Sequence, residues 1–562
     1  MPKTTIFLIL LTLALFLGWS CVGEGDASDT ASSLEVLNEK VGERLLKTLH
    51  YASRHDGLLE DSTQLSYSAA ISQFYDENGF APIWSNAGQS NQQADSMLVF
   101  IRNAMHYGLF PNHYHSESLQ KIHDALEADT TGTIARRDIA LWMRFELLLT
   151  DAFIGIAHDL DIGRLAIDST FLRPDSVFEP KPYLDQLKQL LSGGSLSSIM
   201  HGFEPEHSDY HLLKKGLRRF LDTANIHTHE TYIDYPYLDS LVFIRQFTQR
   251  LKELGALSWK VEQVDTLVLK NAILKVQEQR GLTIDGKYGP QLIGSLNLNS
   301  REKMIRLAIN LDRYKKLPRQ MPERYIWVNI PGYYLALRKN DSLMLHSKIV
   351  VGKPKTRTPL LQSTIGNIVT YPQWTIPNSI IVKEILPALK RSPGYLSKKG
   401  YSLLTWKGEE VDPSSVNWSK YTKGIPYKIV QGSGDDNALG VLKFNFANPF
   451  DVYMHDTNQR FYFERSERAL SHGCVRVQAW DSLSRYITAL DTGLAERKQP
   501  PAILDSLHKW LENKQKRTIS LRYRLPLYFR YVTAEMKNDK IVFYGDIYGE
   551  DAVARRQLMK VP

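Results

Sequence analysis

From residue 34 to about 255 the apolar positions recur at helical spacing. Ile71, Phe74 and Tyr75 form one stripe, and Leu141, Phe145, Leu148, Ala152 and Ile156 form another. Such stripes predict helices with one buried face, and residues 61–255 read as a helical scaffold. Ile273, Val276 and Gln277, then Leu292 and Leu296, predict helix, turn, helix over 266–298. Gly281 suits a helix C-cap there and Asp285-Gly286 a tight turn. Arg301 to Tyr314 predicts a further helix. From Tyr325 the period becomes strand-like. Tyr325–Ile330, Tyr333–Leu337 and Leu345–Val351 read as strands, with Asn340-Asp341 turning between the second and third. Residues 383–428 interrupt the strands, and Val382 to Lys390 looks helical. An insertion between strands is a natural lid. Val452-Tyr453-Met454 resumes as a strand, and Ala479, Trp480, Leu483, Tyr486, Ile487 and Leu490 form a last helical stripe. The fold class expected is multidomain α+β. A helical N-terminal part precedes a mainly-β domain over 322–495 that carries the lid, and 496–562 packs on that domain.

The N-terminus adds an export signal. Lys3 precedes an apolar run from Ile6 to Leu17, then Gly18-Trp19-Ser20-Cys21. The run is short for a membrane span and fits a signal-peptide core over residues 1–20. A small residue before Cys21 resembles a lipoprotein signal, with Gly18 where leucine is usual. Cys21 is therefore the candidate lipidation site and 21–60 a tether. An uncleaved anchor and an ordinary signal peptide are the alternatives. A periplasmic, membrane-anchored protein is the expectation. The 43% hydrophobic content supports packed cores, and the net charge of +8 is spread along the chain. That balance suits anionic polymers. No basic, aromatic-interleaved nucleic-acid module, no Cys/His metal cluster and no Gly-rich phosphate loop is legible.

Chemistry concentrates between Met454 and Arg476. His455-Asp456-Thr457-Asn458 is followed by Arg468 and by Ser471-His472-Gly473-Cys474-Val475-Arg476. Cys474 is one of two cysteines in 562 residues. An unpaired cysteine in an exported chain is a candidate reactive thiol, and a thiol needs a base or a lowered pKa to act as nucleophile. His472, two residues away, can share a face with Cys474 if that segment is extended. His455 ends a strand, which fixes a side chain well. Spacing alone leaves both open as the base. Gly473 frees the backbone to aim amides at an oxyanion.

The same residues resemble the signature of the L,D-transpeptidases with a YkuD-type catalytic domain, and the wider chain resembles their large periplasmic YcbB-like branch. Phe80-Ala81-Pro82-Ile83-Trp84, Gly108 to Tyr114 and Leu149 to Phe153 are similar to that branch's scaffold domain. Residues 266–298 resemble its small three-helix peptidoglycan-binding module, and 383–428 match its capping subdomain in position. The resemblance implies Cys474 as nucleophile, His455 as base, Asp456 as a residue helping to orient it, and Gly473 among the catalytic residues. It implies a substrate site of His472, Ser471, Arg476, Trp374 and Asn458. Trp374 serves core packing or substrate contact, and Arg476 a stem carboxylate or a structural ion pair.

The implied reaction is acyl transfer. Cys474 attacks a tetrapeptide stem, the terminal D-alanine leaves, and an amine from a second stem forms a 3→3 peptidoglycan cross-link. No metal or organic cofactor is needed, and carbapenems are expected to inhibit. Water as acceptor would instead make an L,D-carboxypeptidase, and a protein lysine an anchoring enzyme. A non-enzymatic peptidoglycan-binding lipoprotein is the remaining alternative.

Overall fold

The computed structural model describes residues 30–166, 178–226, 230–260, 264–280, 284–491 and 502–560. The expected signal segment 1–20, Cys21 and the Gly281 cap lie outside them. The chain divides into two compact units, residues up to 99 with 114–153, and residues 100–113 with 154–562.

The first unit is helical. Its core includes Phe145, Leu148 and Ala152 of the helix Ile139–Asp161. The same helix buries Glu146, and burial pushes its carboxyl above the ordinary range. Its oxygens accept from Tyr75 Oη (2.9 Å), the Ile83 amide (2.7 Å) and Ser85 Oγ (2.7 Å). A buried carboxylate is tolerated when its lone pairs are satisfied, and here it fixes the Pro82-containing turn.

The second unit is organised by a sheet closed on itself. Around the ring run the strands Leu442–Phe446, Met454–His455, Val475–Val477, Ser342–Gly352, Tyr334–Lys339, Arg324–Asn329, Pro526–Arg530 and Leu361–Thr370, the last pairing back to Leu442–Phe446. Closure leaves no open edge around the ring. Alternation sends Ile326, Val328, Leu335, Leu337, Ile349, Val351, Ile368, Phe444 and Met454 into one continuous core. The expected turn at Asn340-Asp341 is present, with both residues at positive φ, 47° and 61°, as a tight hairpin requires.

Three expected boundaries change. Residues 496–562 do not merely pack on the mainly-β domain. The strand Pro526–Arg530 sits inside the sheet, parallel to Arg324–Asn329 and antiparallel to Leu361–Thr370, and Arg517–Ser520 extends it. Nor does the helical scaffold run unbroken to 255. Phe243, Phe247 and Leu251 of the helix Ser240–Glu253 share a core with Ala272, Ile273 and Val276 of Thr266–Gln279 and with Leu292, Ile293 and Leu296 of Pro290–Asn297. The third helix of the small module therefore comes from upstream of 266. Gln277 holds its turn, accepting from the Asp285 and Gly286 amides at 3.0 and 2.9 Å. Earlier helices also join the second unit: Tyr210, Leu213 and Leu217 pack with Leu307, Leu311 and Trp327.

The lid is wider than 383–428. Strands Trp374–Thr375, Tyr401–Leu404 and Lys428–Gln431 form their own sheet. Ile376, Ile381, Leu386, Leu389, Leu403, Trp418 and Ile429 form its own core. A separate core predicts separate unfolding. Trp418→Ala should cost the lid about 3–5 kcal/mol, the usual range for emptying a buried Trp site. Hydrogen exchange should then accelerate across 374–431 while strand 324–329 stays protected; uniform loss of protection would contradict this.

Candidate active site

The site is assembled by strand register. Met454–His455 lies parallel to Val475–Val477, with Met454 opposite Val475 and His455 opposite Arg476. Val475 N–H donates to the Tyr453 carbonyl at 3.1 Å. Met454, Val475 and Val477 are core residues. Side chains alternate along strands, so the intervening Tyr453, His455, Cys474 and Arg476 turn the other way. All four line one cavity of about 350 Å³, together with Trp374, Leu439, Ser471 and His472.

Burial sets the resting protonation. His455 is 4% exposed, and its pKa is pushed down to about 3, first by desolvation and then by the Arg476 guanidinium. Its Nδ1 is buried without a hydrogen-bond partner among the described residues. The backbone at Asp456 and Leu439 faces the ring and opposes the depression, more loosely than an aligned hydrogen bond would. The Cys474 thiol is pushed above its ordinary value of 9.0 by burial, against the pull of the Tyr453 backbone and hydroxyl, Lys443 and Arg476. At neutral pH the pair is a thiol beside a neutral imidazole. That leaves His455 free to accept a proton, which a general base requires.

The turn that carries Cys474 is held by its neighbours. Ser471 Oγ donates to the Cys474 carbonyl (2.6 Å) and accepts from the Gly473 amide (3.1 Å). Gly473 has φ +122°, a conformation that favours glycine. Two expected roles change here. The Gly473 amide is taken by Ser471, so it is no oxyanion donor; the Cys474 amide has no partner among the described residues. Ser471 lines the cavity, but its hydroxyl serves the turn.

Asp456 does not hold His455 with its carboxylate. It is fully buried and accepts from the Val441 amide (3.1 Å) and Arg460 Nη2 (2.9 Å). Its side chain faces away from that of its strand neighbour. Asn458 is also displaced from its expected role. It donates to the Asp436 carbonyl at 2.9 Å and does not line the cavity. His472 does line it, and its Nε2 is hydrogen bonded to Glu384 Oε1 of the lid at 2.5 Å. Trp374 lines the cavity and packs edge-on to Tyr401, so it contributes to both lid and site. Arg476 donates to Gln459 at 3.1 Å; among the described residues it meets no carboxylate, so the structural ion pair is absent. Arg468 is structural, donating to the Ile349, Arg465 and Tyr333 carbonyls.

Sequence reasoning missed Tyr453 and Lys443. Tyr453 faces Cys474 and lies beside His455, the two rings tilted at 58° with centroids 5.6 Å apart. Lys443 is opposite His455 in the adjoining strand, its Nζ 3.8 Å from the Tyr453 ring centroid. The readable signal was that Tyr453 shares a strand face with His455. Elsewhere, His201, Glu204 and His211 bring possible ligand atoms within 4.8 Å of one another, but Glu204 is already ion-paired with Lys214, whose charge competes with a cation.

Comparison with known proteins adds two domain matches. Residues 323–493 match the L,D-transpeptidase catalytic domain, and residues 69–217 the scaffold domain. A Haemophilus influenzae protein named "Putative L,D-transpeptidase" is 36% identical over 254 residues, 45% of this chain and 50% of that protein. The match thus spans about half of that relative's length. Among solved structures, an L,D-transpeptidase from Mycobacterium smegmatis is similar at 12% identity and TM-score 0.17, covering 37% of this chain and 58% of its own. The catalytic domain of the E. faecium L,D-transpeptidase acylated by ertapenem is similar at 14% identity and TM-score 0.16, covering 38% of this chain and 99% of its own.

The Tyr453 hydroxyl favours the thiolate, so its loss should raise the thiol pKa further. Tyr453→Phe should slow iodoacetamide alkylation of Cys474 at pH 7 by about ten- to a hundredfold, the usual cost of losing a hydrogen bond to a charged group. The deficit should close at high pH, where both thiols ionise. Equal or faster alkylation at pH 7 would contradict the assignment.

Proposed function

We propose, for a chain that carries an L,D-transpeptidase catalytic domain over residues 323–493, that it is a murein L,D-transpeptidase forming 3→3 cross-links. One observation carries the reading: strand alternation turns Cys474, His455, Tyr453 and Arg476 into one cavity. In the first step the Cys474 sulfur attacks the carbonyl of the third stem residue while its proton passes to His455. The Cys474 amide donates to the developing oxyanion. Collapse expels the terminal D-alanine, whose amine takes the proton from His455, and leaves a thioester. A side-chain amine of a second stem then attacks the thioester and restores the thiol. Nucleophile, base and oxyanion donor all come from the protein.

Arg476 supports an acidic donor, since a guanidinium suits a carboxylate and this one has no carboxylate partner among the described residues. The lid contact between His472 and Glu384 supports closure over the stem. Residues 240–297 supply the three-helix module that we assign to peptidoglycan binding. Export to the periplasm with an anchor at Cys21 belongs to the same proposal.

Purified protein incubated with defined tetrapeptide muropeptides should yield 3→3 dimers and free D-alanine by mass spectrometry. Tripeptide monomers alone would make it a carboxypeptidase instead, and no product would overturn the enzymatic reading. Carbapenem labelling separates the two histidines. His455→Ala should lose about 10²–10⁴-fold in acylation rate, the usual cost of a missing general base. His472→Ala should still acylate; the reverse result would exchange their roles.

A further inference from the structure

The loop after strand Ser342–Gly352 folds under the nucleophile turn. Gly352 is pinched there: a Cβ at this position would lie 2.1 Å from the Thr356 carbonyl oxygen. The Lys353 amide and Thr356 Oγ1 both donate to the Ser471 carbonyl at 3.0 Å. Thr358, 2% exposed, makes the contact nearest the reacting atoms. Its hydroxyl accepts from the Gly352 amide at 2.8 Å and donates to the Gly473 carbonyl at 2.7 Å. A hydroxyl has one proton, and the bond from Gly352 leaves it to be given to Gly473.

The consequence follows from peptide geometry. Gly473 C=O and Cys474 N–H belong to one planar trans unit, in which they point in opposite directions. Holding the carbonyl on Thr358 therefore turns the Cys474 amide away from Thr358. That amide has no other partner among the described residues. Gly473 alone would not fix this orientation, because its φ of +122° lies where glycine has wide freedom.

Thr358 is itself anchored from the far end of the chain. Its amide donates to Tyr548 Oη at 3.1 Å, and Tyr548 Oη donates to the Gly352 carbonyl at 2.7 Å. The Tyr548 amide in turn donates to Tyr531 Oη at 2.8 Å. Tyr531 and Tyr548 both lie beyond residue 493, where the catalytic-domain match ends.

We propose that Thr358, braced by Tyr548, is the positioning residue that aims the Cys474 amide at the oxyanion of the acyl-transfer step. The proposal rests on the acyl-transfer reading above. It predicts that Thr358 affects attack on a carbonyl, which builds up an oxyanion, and not attack on an alkyl halide, which does not. Neither Thr358 nor Tyr548 lines the cavity, so neither need touch substrate.

The test uses the full chain and two reagents at Cys474, a carbapenem for acylation and iodoacetamide for alkylation, each followed by intact mass. Thr358→Val keeps the shape and removes the hydroxyl. It should slow acylation at least tenfold, approaching the about 10²–10³-fold cost of losing an oxyanion donor, and leave alkylation within twofold. Thr358→Ser, which keeps the hydroxyl, should restore acylation, and Tyr548→Phe should show a weaker version of the same split. Equal slowing of both reactions in Thr358→Val would mean a disturbed fold and overturn the proposal, as would unchanged acylation. Failure of the parent protein to acylate at all would instead overturn the functional reading beneath it.

Discussion

The site depends on two short strands lying parallel. Met454–His455 and Val475–Val477 are two and three residues long, and neither would persist outside the closed sheet. Inside it, each is paired on both sides, to Leu442–Phe446 and to Ser342–Gly352 respectively. The pairing sets the register, and the register decides which side chains meet. A slip by one residue would turn Met454 and Val475 into the cavity and His455 and Arg476 into the core. The buried core residues on the opposite face make that slip costly, so the hydrophobic pattern of the barrel enforces the chemistry.

The same burial that fixes the geometry sets the electrostatics. Desolvation disfavours every charged form, holding His455 neutral and Cys474 protonated. Lys443, Arg476 and the Tyr453 hydroxyl partly oppose this at the sulfur. They would act most strongly once negative charge develops there or on a bound carboxylate. In this cavity the Cys474 thiol rests protonated.

Much of this was legible in the chain, for local reasons. The α+β class and the first three strands with their Asn340-Asp341 hairpin rest on period and short motifs, whereas spacing alone left His455 and His472 both open as the partner of Cys474. What the sequence could not give was tertiary. Tyr453 was visible as a strand residue, but only the parallel partner puts Cys474 opposite it. Asp456 follows the base in sequence, yet a strand sends it to Arg460 and the Val441 amide. Thr358 lies more than a hundred residues from Gly473 and reaches it only because one loop folds under another. The strand Pro526–Arg530 read as a terminal appendage because long-range parallel pairing leaves no local mark. The cores around the inserted segment and the small helical unit reach beyond 383–428 and 266–298, since their outer elements, Trp374–Thr375 and Ser240–Glu253, join residues further along the chain.

At rest the site holds a neutral thiol beside a neutral imidazole. Thiolate absorbance near 240 nm, taken as the difference between the protein and its Cys474→Ser variant across a pH titration, tests it directly. The thiolate signal of Cys474 should emerge only above the ordinary thiol value of 9.0, with no step at lower pH. A thiolate already present below pH 7 that disappears on protonation of a single nearby group, and is lost in His455→Ala, would show a preformed ion pair and contradict it.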